Sequence, residues 1–112
     1  IIYMNEIIDV AFVAAKLATI KDERAKMVVD SVSLAYNATQ ILRFRSMIAE
    51  LSELCSCIAY QSRLRGGCTQ EEYSLATQCQ QQIEDCDKQI AKYGVMSVID
   101  LASLLVAGLK QR

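Results

Sequence analysis

The chain is expected to be all-α: a bundle of about four helices built around a long antiparallel, coiled-coil-like hairpin, with apolar helices at both termini. Three observations predict this. Its 112 residues contain no Pro and only four Gly, so little interrupts helical hydrogen bonding and little supplies the turns of an all-β domain. Two stripes of mainly apolar residues recur at alternating steps of three and four, the seam of packed helices. Between them, Arg65-Gly66-Gly67-Cys68-Thr69 marks a sharp corner.

The first helix is expected over residues 5–20, with Asn5 as its cap and Ile7, Ile8, Val10, Phe12, Leu17 and Ile20 behind it. A corner at residues 19–22 follows, because Thr19 and Asp22 offer cap chemistry before the charged stretch Lys21-Asp22-Glu23-Arg24-Ala25-Lys26. The second helix, over 22–65, carries a seam of Leu34, Asn37, Ile41, Phe44, Ile48, Leu51, Cys55 and Ile58. Gly66 can take the left-handed conformation that ends it. Thr69 and Glu72, three apart, form a capping box that starts the next.

The third helix is expected over 70–93. Its seam is Ala76, Cys79, Ile83, Cys86, Ile90 and Tyr93, and its flanks are rich in Gln, Glu, Asp and Lys. Gly94 is read as its end, and Ser97 with Asp100 as the cap of a fourth helix over 98–110, apolar nearly all round. Folding the chain at 66–68 pairs the seam layers as Cys55 with Cys79, Leu51 with Ile83, Ile48 with Cys86, Phe44 with Ile90 and Ile41 with Tyr93. The whole reads as one helical domain, 1–112.

Composition narrows function. Lys+Arg is 12 and Asp+Glu is 13, for a net charge of −1, which argues against a nucleic-acid binder. With no His in the chain, Ser-His and Cys-His catalysis and most catalytic zinc sets are removed. The carboxylates Glu71, Glu72, Glu84, Asp85 and Asp87 lie among polar residues and read as a solvated face, not a buried general acid. No catalytic, cofactor-binding or metal-ligating residue is therefore expected.

The five cysteines cannot all pair, and free Cys packs as a small apolar residue, so a reducing compartment is the default. Cys55 and Cys57 diverge by about 200° around a helix, which does not suit a metal site. Cys55 with Cys79 is the one candidate disulfide, against the plainer reading of two thiols filling a narrow layer. Cys68, just before the Thr69 cap, is placed where a helix start can activate a thiol; an ordinary loop cysteine is the plainer reading.

Residues 1–20 lack the basic start and cleavage site of a signal peptide. Residues 95–109 are apolar but carry Asp100 and fall short of the roughly 20 residues of a membrane span. Neither end is expected to qualify as a span, and buried core helices are expected instead.

These observations point to a non-enzymatic helical interaction module: an adaptor, inhibitor, chaperone-like protein or assembly subunit. It would act through apolar helix faces on a protein partner or on itself. Phe12 and Leu105 are expected on the self-associating apolar faces, with Asn37 fixing register in the seam. Arg43, Arg45, Tyr60 and Arg63, beside Arg65, are the candidate protein-binding patch, since Arg and Tyr are enriched at interface hot spots. The alternative is a membrane-surface or filament-forming subunit whose terminal helices pack between copies or against lipid.

Overall fold

Local chemistry sets the two corners of the chain. The structure, a computed structural model, describes residues 4–110. Helix α1 spans Met4–Ala18, so Asn5 lies inside it and does not cap it. The Thr19 amide and hydroxyl both donate to the Ala15 carbonyl, at 3.1 and 2.8 Å, which closes the last turn. Asp22 then accepts from the Ala25 amide at 3.2 Å and caps helix α2, Glu23–Arg65, as a short polar side chain does at a helix start.

The second corner follows its expected chemistry in full. Gly66 has φ of 81°. The Gly67 amide donates to the Ser62 carbonyl at 3.0 Å and the Gly66 amide to that of Arg63 at 3.1 Å, the paired bonds of a Schellman end. The Thr69 hydroxyl accepts from the Glu72 amide at 3.1 Å, and the Glu72 carboxylate accepts from the Thr69 amide at 2.9 Å. Arg65 and Ser62 also donate to that carboxylate. The Thr69 amide first, then the Thr69 hydroxyl, Arg65 and Ser62, hold the Glu72 carboxyl down at about 2.

The main correction concerns the fourth helix. Helix α3 runs unbroken over Gln70–Lys110, so the described residues form three helices, not four. Gly94 does not take positive φ. A lone helical Gly costs only about 1 kcal/mol relative to Ala, which the packing of Tyr93 and Asp100 on either side, both fully buried, outweighs. Ser97 and Asp100 consequently sit inside α3, and Asp100 is used for packing instead of capping. The unbroken helix also changes the span reading: α3 contains an 18-residue window of mean hydropathy 1.6 and is long and apolar enough to cross a membrane by length and composition.

The chain divides into two compact units, residues 39–93 and residues 1–38 with 94–112. The first is a two-helix hairpin. Ile58, Cys79, Cys86 and Tyr93 are its buried apolar residues, and the other seam residues from Ile41 to Cys55 are half-buried. Cys55 and Cys79 meet as expected. Phe44 stacks on Tyr93, with centroids 6.1 Å apart and planes 18° from parallel. Tyr93 thus engages the layer next to the Ile41 layer expected for it.

In the second unit the seam continues, with polar residues in it. On α3 the steps of three and four run on from Tyr93 through Ser97, Asp100, Leu104 and Ala107, all buried or half-buried. On α2, Asp30, Ser33 and Asn37 are buried.

Two outcomes follow. Ile58→Ala, at an 8% exposed site, should cost about 2–5 kcal/mol, and Leu51→Ala distinctly less, because Leu51 is half-buried; denaturant melts of both variants check this. Because the Glu72 carboxyl is held below its unfolded value, its contribution to the corner is full at neutral pH. It should fade as pH falls from about 4.5 through about 2. Glu72→Gln should remove that acid-dependent step from the stability profile.

Candidate functional site

The unit formed by residues 1–38 and 94–112 has its polarity reversed. Its fully buried residues among those described are Asp9, Asp30, Ser33, Asn37 and Asp100. Every apolar residue buried to that degree belongs to the other unit. Met4, Ile7, Val10, Val13, Leu17, Val28, Val32, Val95, Val98, Leu101, Leu105 and Leu109 are exposed instead.

The helical period explains how one sequence does this. On α1 the covered positions are Asn5, Ile8, Asp9, Phe12, Ala15 and Lys16, one face at steps of three and four. That face carries the polar side chains, while Ile7, Val10, Val13 and Leu17 fall on the other. On α3 the covered face is Ser97, Asp100, Ser103, Leu104 and Ala107, while Val95, Val98, Leu101, Leu105 and Leu109 are exposed.

Asp100 is the point where the three helices meet. Its side chain is wholly buried. One carboxylate oxygen takes an ion pair from Lys16 of α1. The other accepts from the Ser33 hydroxyl at 2.7 Å and from the Asn37 amide at 3.0 Å, both on α2. A second polar link lies nearby in the chain: Lys26 donates to the Ser103 hydroxyl, which donates to Asp30 at 2.6 Å, and Lys26 also pairs with Asp30 at 3.6 Å. Phe12 and Tyr36 add a tilted ring contact, with centroids 5.3 Å apart.

A buried carboxylate is costly unless its acceptor sites are filled. Asp100 has a cation on one oxygen and two neutral donors on the other, so it acts as a clasp between helices. The Asn37 Oδ1 has no partner in this buried cluster, because its amide must face Asp100.

The expected site residues fall in different places. Asn37 is fully buried, on the polar seam. Phe12 is half-buried against Tyr36, and Leu105 is 68% exposed. Arg43, Arg45 and Tyr60 are exposed, and Arg63 folds back toward the Ala59 carbonyl. Twenty residues separate Arg43 from Arg63, about 30 Å along α2, so the arginines do not form one patch, and Arg65 is already paired with Glu72.

Cys55 and Cys79 are free thiols in contact. Burial, then the Cys79 thiol, pushes Cys55 above the ordinary thiol value. Burial, then the charges of Asp85 and Asp87, does the same to Cys86. A raised thiol is a poor nucleophile at neutral pH. Cys68 is exposed, with its thiol toward the Thr69 carbonyl. The open groove of about 560 Å³ at the hairpin corner is lined by Arg65, Thr69, Glu71 and Glu72 among others, and the Glu72 carboxylate there is engaged by the cap.

Asp9, Lys16, Lys26, Asp30, Ser33, Asp100 and Ser103 were not expected as site residues. The available signal was the seam itself: stepping by three and four past Asn37 and past Tyr93 lands on Asp30, Ser97 and Asp100. A helix ending at Gly94 would leave Ser97 and Asp100 outside that seam.

Asp100→Ala should cost about 3–5 kcal/mol, the range for leaving one partner of a buried ion pair unpaired. The double change Lys16→Met with Asp100→Leu should recover much of that loss. Thermal melts of the three proteins in one detergent check the difference. No protein-family model, no curated protein and no solved structure matches the chain.

Proposed function

We propose that the chain is a non-enzymatic helical interaction module, an assembly subunit or adaptor, that works through the outward apolar faces of α1 and of the C-terminal part of α3. One observation carries this reading: the unit containing those faces buries polar side chains and exposes most of its large aliphatic ones. Soluble monomers rarely leave contiguous apolar surface of this kind uncovered. The chemistry elsewhere supports it. Cys55 and Cys86 are pushed toward their protonated forms, and both the Asp100 and the Glu72 carboxylates are occupied by donors.

The second reading, a membrane-associated or filament-forming subunit, is favoured by a separate observation. Only 11% of the apolar window of α3 is buried inside the chain; the core helix of a soluble domain would be mostly covered.

Sedimentation of the full chain tests the shared claim that these faces associate. In detergent-free buffer the unmodified protein should not persist as a free 12.5 kDa monomer. Leu105→Asp, at an exposed site, should weaken self-association about tenfold or more in dissociation constant, since even a modest interface loss of 1.4 kcal/mol is a factor of ten. A discrete unmodified monomer over a wide concentration range would remove the proposal.

A further inference from the structure

We infer that the apolar exterior of the unit formed by residues 1–38 and 94–112 is covered by the hydrocarbon of a phospholipid bilayer. The inference rests on the reading of those faces as the working surface, and names what covers them.

Geometry separates lipid from a second copy. Lys16 of α1, Ser33 and Asn37 of α2 and Asp100 of α3 converge on one carboxylate. The faces turned away from that point therefore look in three directions. Each is apolar: Val10 and Val13 on α1, Val28 and Val32 on α2, Val98 and Leu105 on α3, all more than half exposed. A two-fold partner covers one self-complementary patch, whereas a bilayer surrounds its guest.

Charge placement agrees. Residues 7–20 of the chain, 27–42 of α2 and 93–109 of α3 are runs of 14 to 17 residues. The ionisable groups in the aliphatic parts of these runs are Asp9, Lys16, Asp30 and Asp100. The three carboxylates are buried, and Lys16 is paired to Asp100. Ionisable residues inside membrane segments behave this way: they face the bundle interior and pair with one another. Immediately outside the runs the charges return, at Glu6, Lys21 to Lys26, Arg43, Lys92 and Lys110.

At 1.5 Å per residue the helical parts of the runs, residues 7–18, 27–42 and 93–109, measure about 18–26 Å, roughly 4–12 Å less than a hydrocarbon core of about 30 Å. Local thinning and extended Lys and Arg side chains at the ends accommodate such a mismatch. The polar interior fits the same solvent. Between helices in hydrocarbon there is no hydrophobic drive, so hydrogen bonds and ion pairs hold the bundle.

The chain has no Trp, so one introduced indole reports its own surroundings. Val98→Trp, Leu105→Trp and, in the hairpin, Leu54→Trp place it on exposed sites with little disturbance of packing. Each full-length protein is purified in dodecyl maltoside, with helicity checked by circular dichroism, and reconstituted into phosphatidylcholine vesicles with or without acyl-chain bromine. The vesicles are then floated in 1 M salt and at alkaline pH. All three proteins should float under both conditions. Bromine should quench Val98→Trp and Leu105→Trp at least about threefold more than Leu54→Trp. Extraction by alkali, or equal quenching at the three sites, overturns the inference. So does failure to float, and sedimentation without lipid then separates the two claims. A discrete homo-oligomer keeps the association reading and assigns the surface to a second copy, while a stable monomer removes both.

Discussion

A carboxylate with no access to water needs a counter-charge and hydrogen bonds, and the side chains that provide them to Asp100 come from two other helices. Lys16 brings α1 to it; Ser33 and Asn37 bring α2. This requirement organises the unit more than any apolar contact does, since none of its described apolar residues is fully buried. It also explains the unbroken α3: a helix ending at Gly94 and restarting near residue 98 would spend Asp100 on the backbone of its own first turn.

The same constraint orients the aliphatic residues. Helical geometry puts neighbours three and four apart on one face, so a polar seam through Asp9, Lys16 and Asp100 sends Val10, Val13, Val98 and Leu105 the other way. The unit is linked by polar contacts inside and presents aliphatic side chains outside. The hairpin of residues 39–93 shows the ordinary arrangement, with Ile58, Cys79, Cys86 and Tyr93 inside and Gln, Glu and Lys side chains on the flanks. Its corner is closed by local chemistry alone: a left-handed Gly66, the Thr69–Glu72 box and the Arg65 pair.

This separates the chain into a hairpin with an apolar interior and a unit whose large aliphatic side chains are mostly exposed, the surface proposed as its working part. Cys79 and Cys86 are packed inside the hairpin, and in the other unit Asp30 and Asp100 are engaged by side chains of neighbouring helices. The proposal that lipid covers that surface rests on faces that look in three directions from a shared polar centre.

Much of this could be read from the residues alone. Absent Pro, scarce Gly and two seams determined helices; Gly66, Thr69 and Glu72 determined the corner to the residue, because turn and cap chemistry is local. Asp22 likewise set the start of α2. The two seams also brought Cys55 to Cys79, since pairing is set by counting outward from a fixed turn. What local chemistry could not decide was the role of Gly94, whose helical cost is small enough for its surroundings to override, and the destination of Asp100, which reads equally as a cap or as a packing group. Burial decided both. Whether an aliphatic stripe faces a core or a solvent is likewise invisible to periodicity, which marks two faces without saying which is inside. Only the convergence of Lys16, Ser33 and Asn37 on one carboxylate made the polar face the inner one.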